Sequence, residues 1–189
     1  MIGIVPFRKV VTVALIVAGV ALGPGRVDRA AAATAGELNR DGRAALADLT
    51  SGQTSAKVLA GKARAVLVFP SMVKAGFMFG GQIGEGVLFK KGKPVAYYSS
   101  VAASYGLQAG IQSFGYALFF MNDAALRQLD RTGGFEIGIG PSVVVVDEGM
   151  GKSITTNTLT SDVYAFIFDQ RGLMAGLGVQ GSKITRIDK

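Results

Sequence analysis

The sequence lacks histidine, cysteine and tryptophan entirely, and only 17% of its 189 residues are charged. Without histidine and cysteine, a Ser-His-Asp triad, a Cys-His pair, a disulfide framework, a histidine-bound haem and most zinc sites are excluded. The acidic residues also lack the spacing of a calcium loop. Because 49% of the chain is hydrophobic, low charge indicates a folded domain rather than disorder. We therefore expect a non-enzymatic protein with no catalytic residue, metal site or cofactor.

Glycine, in contrast, is abundant, with 27 residues or about twice the usual share. Five glycines fall within residues 69–89, which read FPSMVKAGFMFGGQIGEGVLF. Residues 106–110 and 172–176 repeat the theme of glycine, bulky apolar residue and small residue. Because glycine has no side chain, it permits tight turns and close approach of strands. The three passages therefore predict closely packed strands in a closed β-structure.

The first 33 residues have the pattern of a secretory signal peptide. Arg8 and Lys9 precede an apolar run at residues 10–22, and an alanine-rich stretch follows at residues 30–33. A basic start, a short apolar core and a small-residue exit are typical of a cleaved signal. The apolar run is short for a transmembrane helix, which needs about 20 residues. An uncleaved membrane anchor is the alternative.

Removal of this segment sets the expected domain boundary and charge. We expect cleavage after Ala33 or Ala35, which leaves residues 34–189 as one domain of an exported protein, periplasmic or associated with the cell envelope. The full chain has a net charge of +7, whereas residues 34–189 hold 16 basic and 12 acidic residues, a net charge of +4. This balance favours anionic surfaces, but it is too small to indicate nucleic-acid binding.

Apolar spacing and capping residues predict three helices. The first is amphipathic and ends near residues 51–52. The second begins at residues 54–55 and carries only basic charges. The third is capped at residues 122–123 and ends at the glycine pair 133–134.

From residue 65 onward, β-branched residues, aromatics and glycine predict consecutive strands with short, mostly antiparallel connections. The strands are predicted near residues 65–69, 75–81, 84–91, 94–100, 105–112, 114–121, 135–140, 142–147, 153–159, 162–169, 172–179 and 182–187. Residues 114–121 and 163–168 are apolar at odd and even positions alike, so these strands need cover on both faces. The predicted fold class is α+β, mainly antiparallel β. It is a curved sandwich or barrel-like sheet with two N-terminal helices and one mid-chain helix.

Three short motifs match the residue spacing of known sites but lack the structural context that those sites need. Ser71 and Lys74 have serine-x-x-lysine spacing, but a strand-like stretch follows them. Residues 176–181 fit G-x-G-x-x-G, yet the eight residues that remain leave no room for the helix of a dinucleotide site. Residues 151–153 resemble the end of a phosphate loop whose leading glycine is missing. We interpret these as a strand, a glycine-rich strand and a turn.

An ordered set of glycine-centred motifs runs through the chain. They are Val68-Phe69-Pro70, Lys74-Ala75-Gly76, Gly80-Gly81, Gly84-x-Gly86-Val87-Leu88, Gly106-x-Gln108-x-Gly110 and Gly172-Leu173-Met174-Ala175-Gly176. Together they resemble the SYLF family, a lipid-binding domain of yeast and animal endocytic proteins that also occurs alone in secreted bacterial proteins. The resemblance covers roughly residues 38–187. It implies a membrane-lipid-binding module whose ligands are phosphoinositides and other anionic phospholipids.

Seven basic residues are the candidate lipid-binding residues. They are Lys57, Lys62 and Arg64 in the second helix, Lys74 beside the glycine-rich stretch, and Lys90, Lys91 and Lys93 at a predicted hairpin tip. Near an anionic surface, each lysine or arginine contributes about 1 kcal/mol. The alternative interpretation of the hairpin lysines is a soluble turn that protects a strand edge.

Two functions follow from these residues and the resemblance. The first is non-enzymatic, peripheral binding of anionic phospholipid by an exported envelope protein. The alternative is a structural envelope or surface protein that binds protein partners or self-associates through its glycine-rich sheet. A bilayer surface and a single lipid in a cavity are both compatible with the first hypothesis.

Overall fold

The computed structural model describes residues 32–131, 134–136, 142–146, 160–172 and 182–189. Nearly all of the predicted signal peptide lies outside these residues, as do the predicted strand 153–159 and the two motifs at 151–153 and 176–181. None of the described helices has the length and apolar character needed to cross a bilayer.

Two consecutive helices open the described chain. Helix α1, Ala35–Gly52, begins with a capping box in which Thr34 Oγ1 accepts from the Glu37 N–H at 3.3 Å. The Thr34 N–H in turn donates to the Glu37 carboxylate at 2.8 Å, so two otherwise unpaired donors are satisfied. Helix α2, Thr54–Lys62, follows after one residue. The sequence predictions for the end of α1 and the start of α2 are confirmed.

One long hairpin forms most of the sheet. Strand β1, Ala65–Lys90, pairs antiparallel with strand β2, Lys93–Phe120. Lys91 and Gly92 form the turn with φ angles of 50° and 73°, and a type I′ turn requires positive φ at both positions. The hairpin tip that was predicted from the lysine and glycine residues is confirmed.

The six strands predicted between residues 65 and 121 are therefore two continuous strands, which corrects the sequence prediction. The register shifts between Phe69 and Met72, between Phe77 and Phe79, and again near Phe89. A β-bulge bends and twists a strand without ending its pairing, and proline is tolerated there. Pro70 and the glycines thus mark bends, although the sequence pattern suggested strand ends.

The other described strands lie on the side of β2 that is opposite β1. Strand β5, Val163–Gly172, pairs with the C-terminal part of β2, and strand β6, Lys183–Ile187, pairs with its N-terminal part. Strand β3, Phe135–Glu136, adds to β6, and strand β4, Val143–Val145, runs parallel to β5. Within the described residues the sheet order is β3-β6-β2-β5-β4, with β1 also paired to β2. The predicted mainly antiparallel α+β fold is confirmed, with β4 and β5 as a parallel exception.

Helix α3, Asp123–Gln128, follows β2 directly. Its cap is Asn122, whose side-chain oxygen accepts from the Ala125 N–H at 2.8 Å. The predicted cap is confirmed, but the helix ends at Gln128, before the glycine pair at 133–134. A turn follows the helix, and the Gly134 N–H donates to the Arg131 carbonyl at 2.9 Å.

The sheet separates two hydrophobic cores. Tyr116 and Leu118 on β2 point to the core that α3 joins, and we call this side the inner face. Ala117 and Phe119 point to the core beneath α1 and α2, on the outer face. Both faces of β2 are therefore covered here, as the continuous apolar pattern predicts.

Two glycines show that β1 folds back against itself. A Cβ atom at Gly86 would lie 2.6 Å from the Phe69 ring and 2.7 Å from the Val68 carbonyl oxygen. A Cβ atom at Gly84 would lie 2.9 Å from the carbonyl oxygen of Ser71. Because the later glycine meets the earlier residues, the second half of β1 runs back over the first. The predicted role of glycine in close packing is confirmed at these two positions.

Candidate functional site

The lysine turn, Lys90–Lys93, carries three of the predicted site residues. Lys90, Lys91 and Lys93 are all exposed. Arg43 of α1 donates to the Gly92 carbonyl at 2.8 Å, and its guanidinium lies 5.2 Å from the centre of the Phe89 ring. Helix α1 thus holds the backbone of the lysine turn, whose three lysine side chains extend into solvent.

The α2 basic group, Lys57, Lys62 and Arg64, carries three more. All three side chains are exposed, but Arg64 lies two residues beyond the end of α2, which corrects its predicted place in the helix. Ala56 and Leu59 of α2 are fully buried in the outer core. The Arg64 N–H donates to the Phe120 carbonyl at 2.7 Å, which attaches the end of α2 to the sheet.

The lysine turn and the end of α2 lie toward the same end of the sheet. Arg64 immediately precedes β1, so it marks the end at which this strand begins. The second half of β1 runs back toward that end, as the contacts of Gly84 and Gly86 show. The fold therefore places these two basic groups, which are 26 residues apart along β1, toward the same end of the sheet.

Lys74 lies apart from the other six, because its side chain is buried with 3% exposure. Before the bulge at residues 69–72 the odd-numbered residues of β1 face inward, and after it the even-numbered ones do. Lys74 therefore shares the inner face with Met72 and pairs across the sheet with Gln112, which is also buried. In this conformation Lys74 is not part of the exposed basic surface, and its lipid-binding role stays a prediction.

The serine-x-x-lysine match fails on the same geometry. In a helix, side chains three residues apart lie on one face, but in a strand they point to opposite faces. Ser71 is exposed and Lys74 is buried, within the continuous strand β1.

A cationic groove was missed by the sequence reasoning. It has a volume of about 350 Å³, and its charged residues are Arg131, Lys183, Arg186 and Asp130. Arg186 pairs with Asp130 at 3.2 Å, which leaves the groove with a positive excess. Gly134 has a φ of 86° and lies against Thr185, so its backbone forms one wall. These basic residues are far apart in sequence, and no local pattern marks them as a group.

A larger open groove of about 750 Å³ lies beside α1. Its charged residues are Asp41, Asp48, Asp169 and Arg171, and Arg171 pairs with Asp169 at 3.0 Å. The carboxylates outnumber the guanidinium, so this groove repels an anionic headgroup. Within the described residues, no group of acidic side chains has the arrangement of a metal site.

Comparison with known proteins gives two matches. A family model described as "Ysc84: Las17-binding protein actin regulator" matches residues 101–189, from the middle of β2 onward. Protein YSC84 of Saccharomyces cerevisiae is 27% identical over 125 residues, which cover 62% of this chain and 27% of the yeast protein. The chain thus spans about a quarter of the length of this relative.

The C-terminal part of the chain, residues 101–189, is thus similar to the Ysc84 family, which is the SYLF family that the glycine motifs resemble.

Proposed function

We propose that this protein is a non-enzymatic, peripheral binder of anionic phospholipid membranes. The observation that carries the proposal is the pair of exposed basic groups, the lysine turn and the α2 basic group, at one end of the sheet. The match of residues 101–189 to the Ysc84 family model agrees with a binding role, since that family is described as protein-binding and regulatory. The ligand class comes from the sequence resemblance to SYLF lipid-binding domains.

Electrostatics alone supplies useful affinity at this surface. Each lysine or arginine near an anionic bilayer contributes about 1 kcal/mol, and the contribution decays within a Debye length of about 8 Å at physiological salt. The six side chains are exposed, so they approach headgroups without the large desolvation cost of a buried charge. Binding of this kind is reversible and sensitive to salt.

We also propose that the protein acts outside the cytoplasm, after removal of residues 1–33. The supporting pattern is the basic start, short apolar core and alanine-rich exit of this segment. Mass spectrometry of the mature protein from the envelope fraction tests this directly. A first residue near Thr34 is expected, and an intact Met1 there would contradict cleavage.

Charge reversal tests the proposed surface. The triple substitution Lys90→Glu, Lys91→Glu and Lys93→Glu should weaken binding to anionic vesicles by at least about tenfold, because three attractive charges become repulsive. The turn conformation does not depend on the lysine side chains, so the fold should be retained. Co-flotation of the form that begins at Thr34 measures the effect.

The matched control carries the same change in net charge at exposed arginines elsewhere: Arg40→Glu, Arg127→Glu and Arg171→Glu. This variant should lose much less binding than the lysine-turn variant. Equal losses would show that net charge alone governs binding, and the assignment of the surface would be wrong.

A protein-binding role is the second candidate, because the family description names Las17 binding. Affinity capture from solubilised envelope, with the lysine-turn variant as comparison, tests it. A partner that is retained by both forms, in a protein that ignores anionic vesicles, would favour this alternative.

A further inference from the structure

The outer face of the hairpin continues beyond the two helices as an uncharged surface. Eight residues of β1 and β2 point outward there, and we call them the distal outer face: Val73, Ala75, Gly81, Ile83, Val101, Ala103, Ile111 and Ser113. Seven are exposed and one is half-buried, and none of the eight carries a charge.

The apolar side chains of this face are large and strongly exposed. Ile111 is 68% exposed, Ile83 58%, Val101 51% and Val73 42%. Ile83 and Val101 are direct partners across the hairpin, so they form a continuous pair. Strand alternation explains the exposure, since the neighbours Lys74 and Gln112 turn inward and are buried.

The helices cover only the other part of the outer face. Gly42 of α1 lies against Val87 and Phe89, near the lysine turn. Val66 and Phe119, in the outer core, pack beneath the helices at the start of the hairpin. The distal outer face lies beyond these contacts. It holds the cross-strand pair Ile83–Val101 on one limb of the bent hairpin and the pair Ala75–Ile111 on the other. Single exposed hydrophobic residues are common, whereas clustered ones mark interaction sites.

The charges around the face identify the partner that fits it. Lys183 pairs in register with Val101, so a cation borders the apolar pair directly. Lys183 also lines the cationic groove with Arg131 and Arg186. The acidic neighbour is Glu85, whose carboxylate accepts from Lys189 at 2.8 Å and is thereby neutralised. Apolar side chains beside cations match the acyl boundary and phosphates of an anionic bilayer.

We propose that the distal outer face docks on an anionic phospholipid bilayer, with Ile83 and Ile111 entering the acyl boundary and Lys183 and the cationic groove binding headgroup phosphates. The proposal rests on the proposed function, since it adds a second contact with the same partner. It makes binding depend on apolar insertion as well as on the charges of the lysine turn.

Tryptophan fluorescence tests insertion at a single position, because the natural sequence has no tryptophan. The full-length variant Ile83→Trp is titrated with vesicles of phosphatidylglycerol and phosphatidylcholine, and the control variant Ala47→Trp carries its tryptophan on the exposed surface of α1. We expect a blue shift and quenching by acyl-chain-brominated lipid for Ile83→Trp alone. Because emission reports on the substituted position, binding through residues 10–22 is not mistaken for docking of this face.

A second variant measures the energetic weight of the face. Ile83→Thr with Ile111→Thr keeps β-branched side chains but removes apolar contact area, so it should weaken vesicle binding by about tenfold. Val145→Thr changes a residue on β4 that is also 42% exposed, and it should leave binding unchanged.

The outcomes separate this inference from the proposed function. If the lysine-turn variant loses binding while Ile83→Trp shows neither blue shift nor quenching on bound vesicles, the docking face is wrong and the proposed function stands. If no variant and not even the natural chain binds anionic vesicles, both fall. A blue shift that appears without vesicles as protein concentration rises would show that a second copy covers the face, which also overturns the proposal.

Discussion

At the residue scale, the glycines of β1 have unequal structural roles. Gly86 faces the Phe69 ring and the Val68 carbonyl of the same strand, and a backbone carbonyl does not move aside easily. A Cβ atom at Gly81 would lie 3.7 Å from the Ala102 carbonyl oxygen, which is an ordinary van der Waals contact.

We predict that Gly86→Ala lowers the free energy of unfolding by about 1–3 kcal/mol, the usual cost of an overpacked site. Gly81→Ala should be neutral or slightly stabilising, because alanine restricts the unfolded chain. Urea denaturation of the two variants side by side measures the difference. Equal effects would contradict the fold-back of β1.

Two buried tyrosines differ in their hydrogen bonds. Tyr98 donates to the Asp130 carboxylate at 3.0 Å, whereas the Tyr116 hydroxyl is buried without a hydrogen-bond partner among the described residues. Burial raises the pKa of Tyr116, and burial followed by the hydrogen bond to Asp130 raises the pKa of Tyr98. Tyr98→Phe should therefore cost about 1 kcal/mol of stability, while Tyr116→Phe should cost nothing or stabilise.

The same shifts predict how stability depends on pH. Tyrosine in an unfolded chain ionises near pH 10, but the raised pKa values keep both hydroxyls protonated in the folded state. Their contribution is complete below about pH 10 and is lost as the pH rises further. Tyr116→Phe should thus flatten the alkaline decline of stability, measured by urea denaturation from neutral to alkaline pH. An unchanged slope would contradict the burial of this hydroxyl.

The burial of Lys74 was not predictable from the sequence. Its neighbours indicated only a basic residue beside a glycine-rich strand. The bulge between Phe69 and Met72 reverses which residues of β1 face inward and which face outward. This reversal arises from packing, which the sequence alone does not reveal. The lysine turn was predictable because polar residues, glycine and proline between two apolar runs mark a turn by their composition.

At the element scale, helix α1 is the support of the lysine turn. Arg43 contacts both the Gly92 carbonyl and the Phe89 ring. Arg43→Ala should make the turn amides exchange faster and lower stability by about 1 kcal/mol. Hydrogen exchange followed by NMR measures this, with Arg40→Ala as a control on the same helix. Unchanged protection of the turn would show that α1 does not brace it.

The elements themselves were largely predictable from the sequence. The helix cap at Asn122 and the two-sided apolar pattern of β2 rest on local chemistry, and the structure confirms them. The continuity of β1 and β2 was not predictable, because glycine and proline occur both at strand ends and at bulges within a strand. The parallel pairing of β4 with β5 depends on long-range topology. The short connections in the sequence predicted antiparallel neighbours instead.

At the scale of the whole molecule, the fold brings charged residues that are distant in sequence together into local groups. Lys189 donates to the Ala33 carbonyl at 2.7 Å and to Glu85, so the last strand region is tied to the start of α1 and to β1. The cationic groove likewise joins residues from the α3 turn and β6. Only the folded chain reveals these groups, which is why the sequence identified six exposed basic residues but missed the groove.

The central claim is binding to anionic membranes, and flotation of the form that begins at Thr34 tests it most directly. The protein is mixed with vesicles of pure phosphatidylcholine or with vesicles that contain phosphatidylglycerol, at a series of salt concentrations. We predict flotation with the anionic vesicles alone, strongest at low salt and falling as ionic strength rises, because exposed charges are screened. A protein that stays at the bottom of the gradient with anionic vesicles at low salt would contradict the claim.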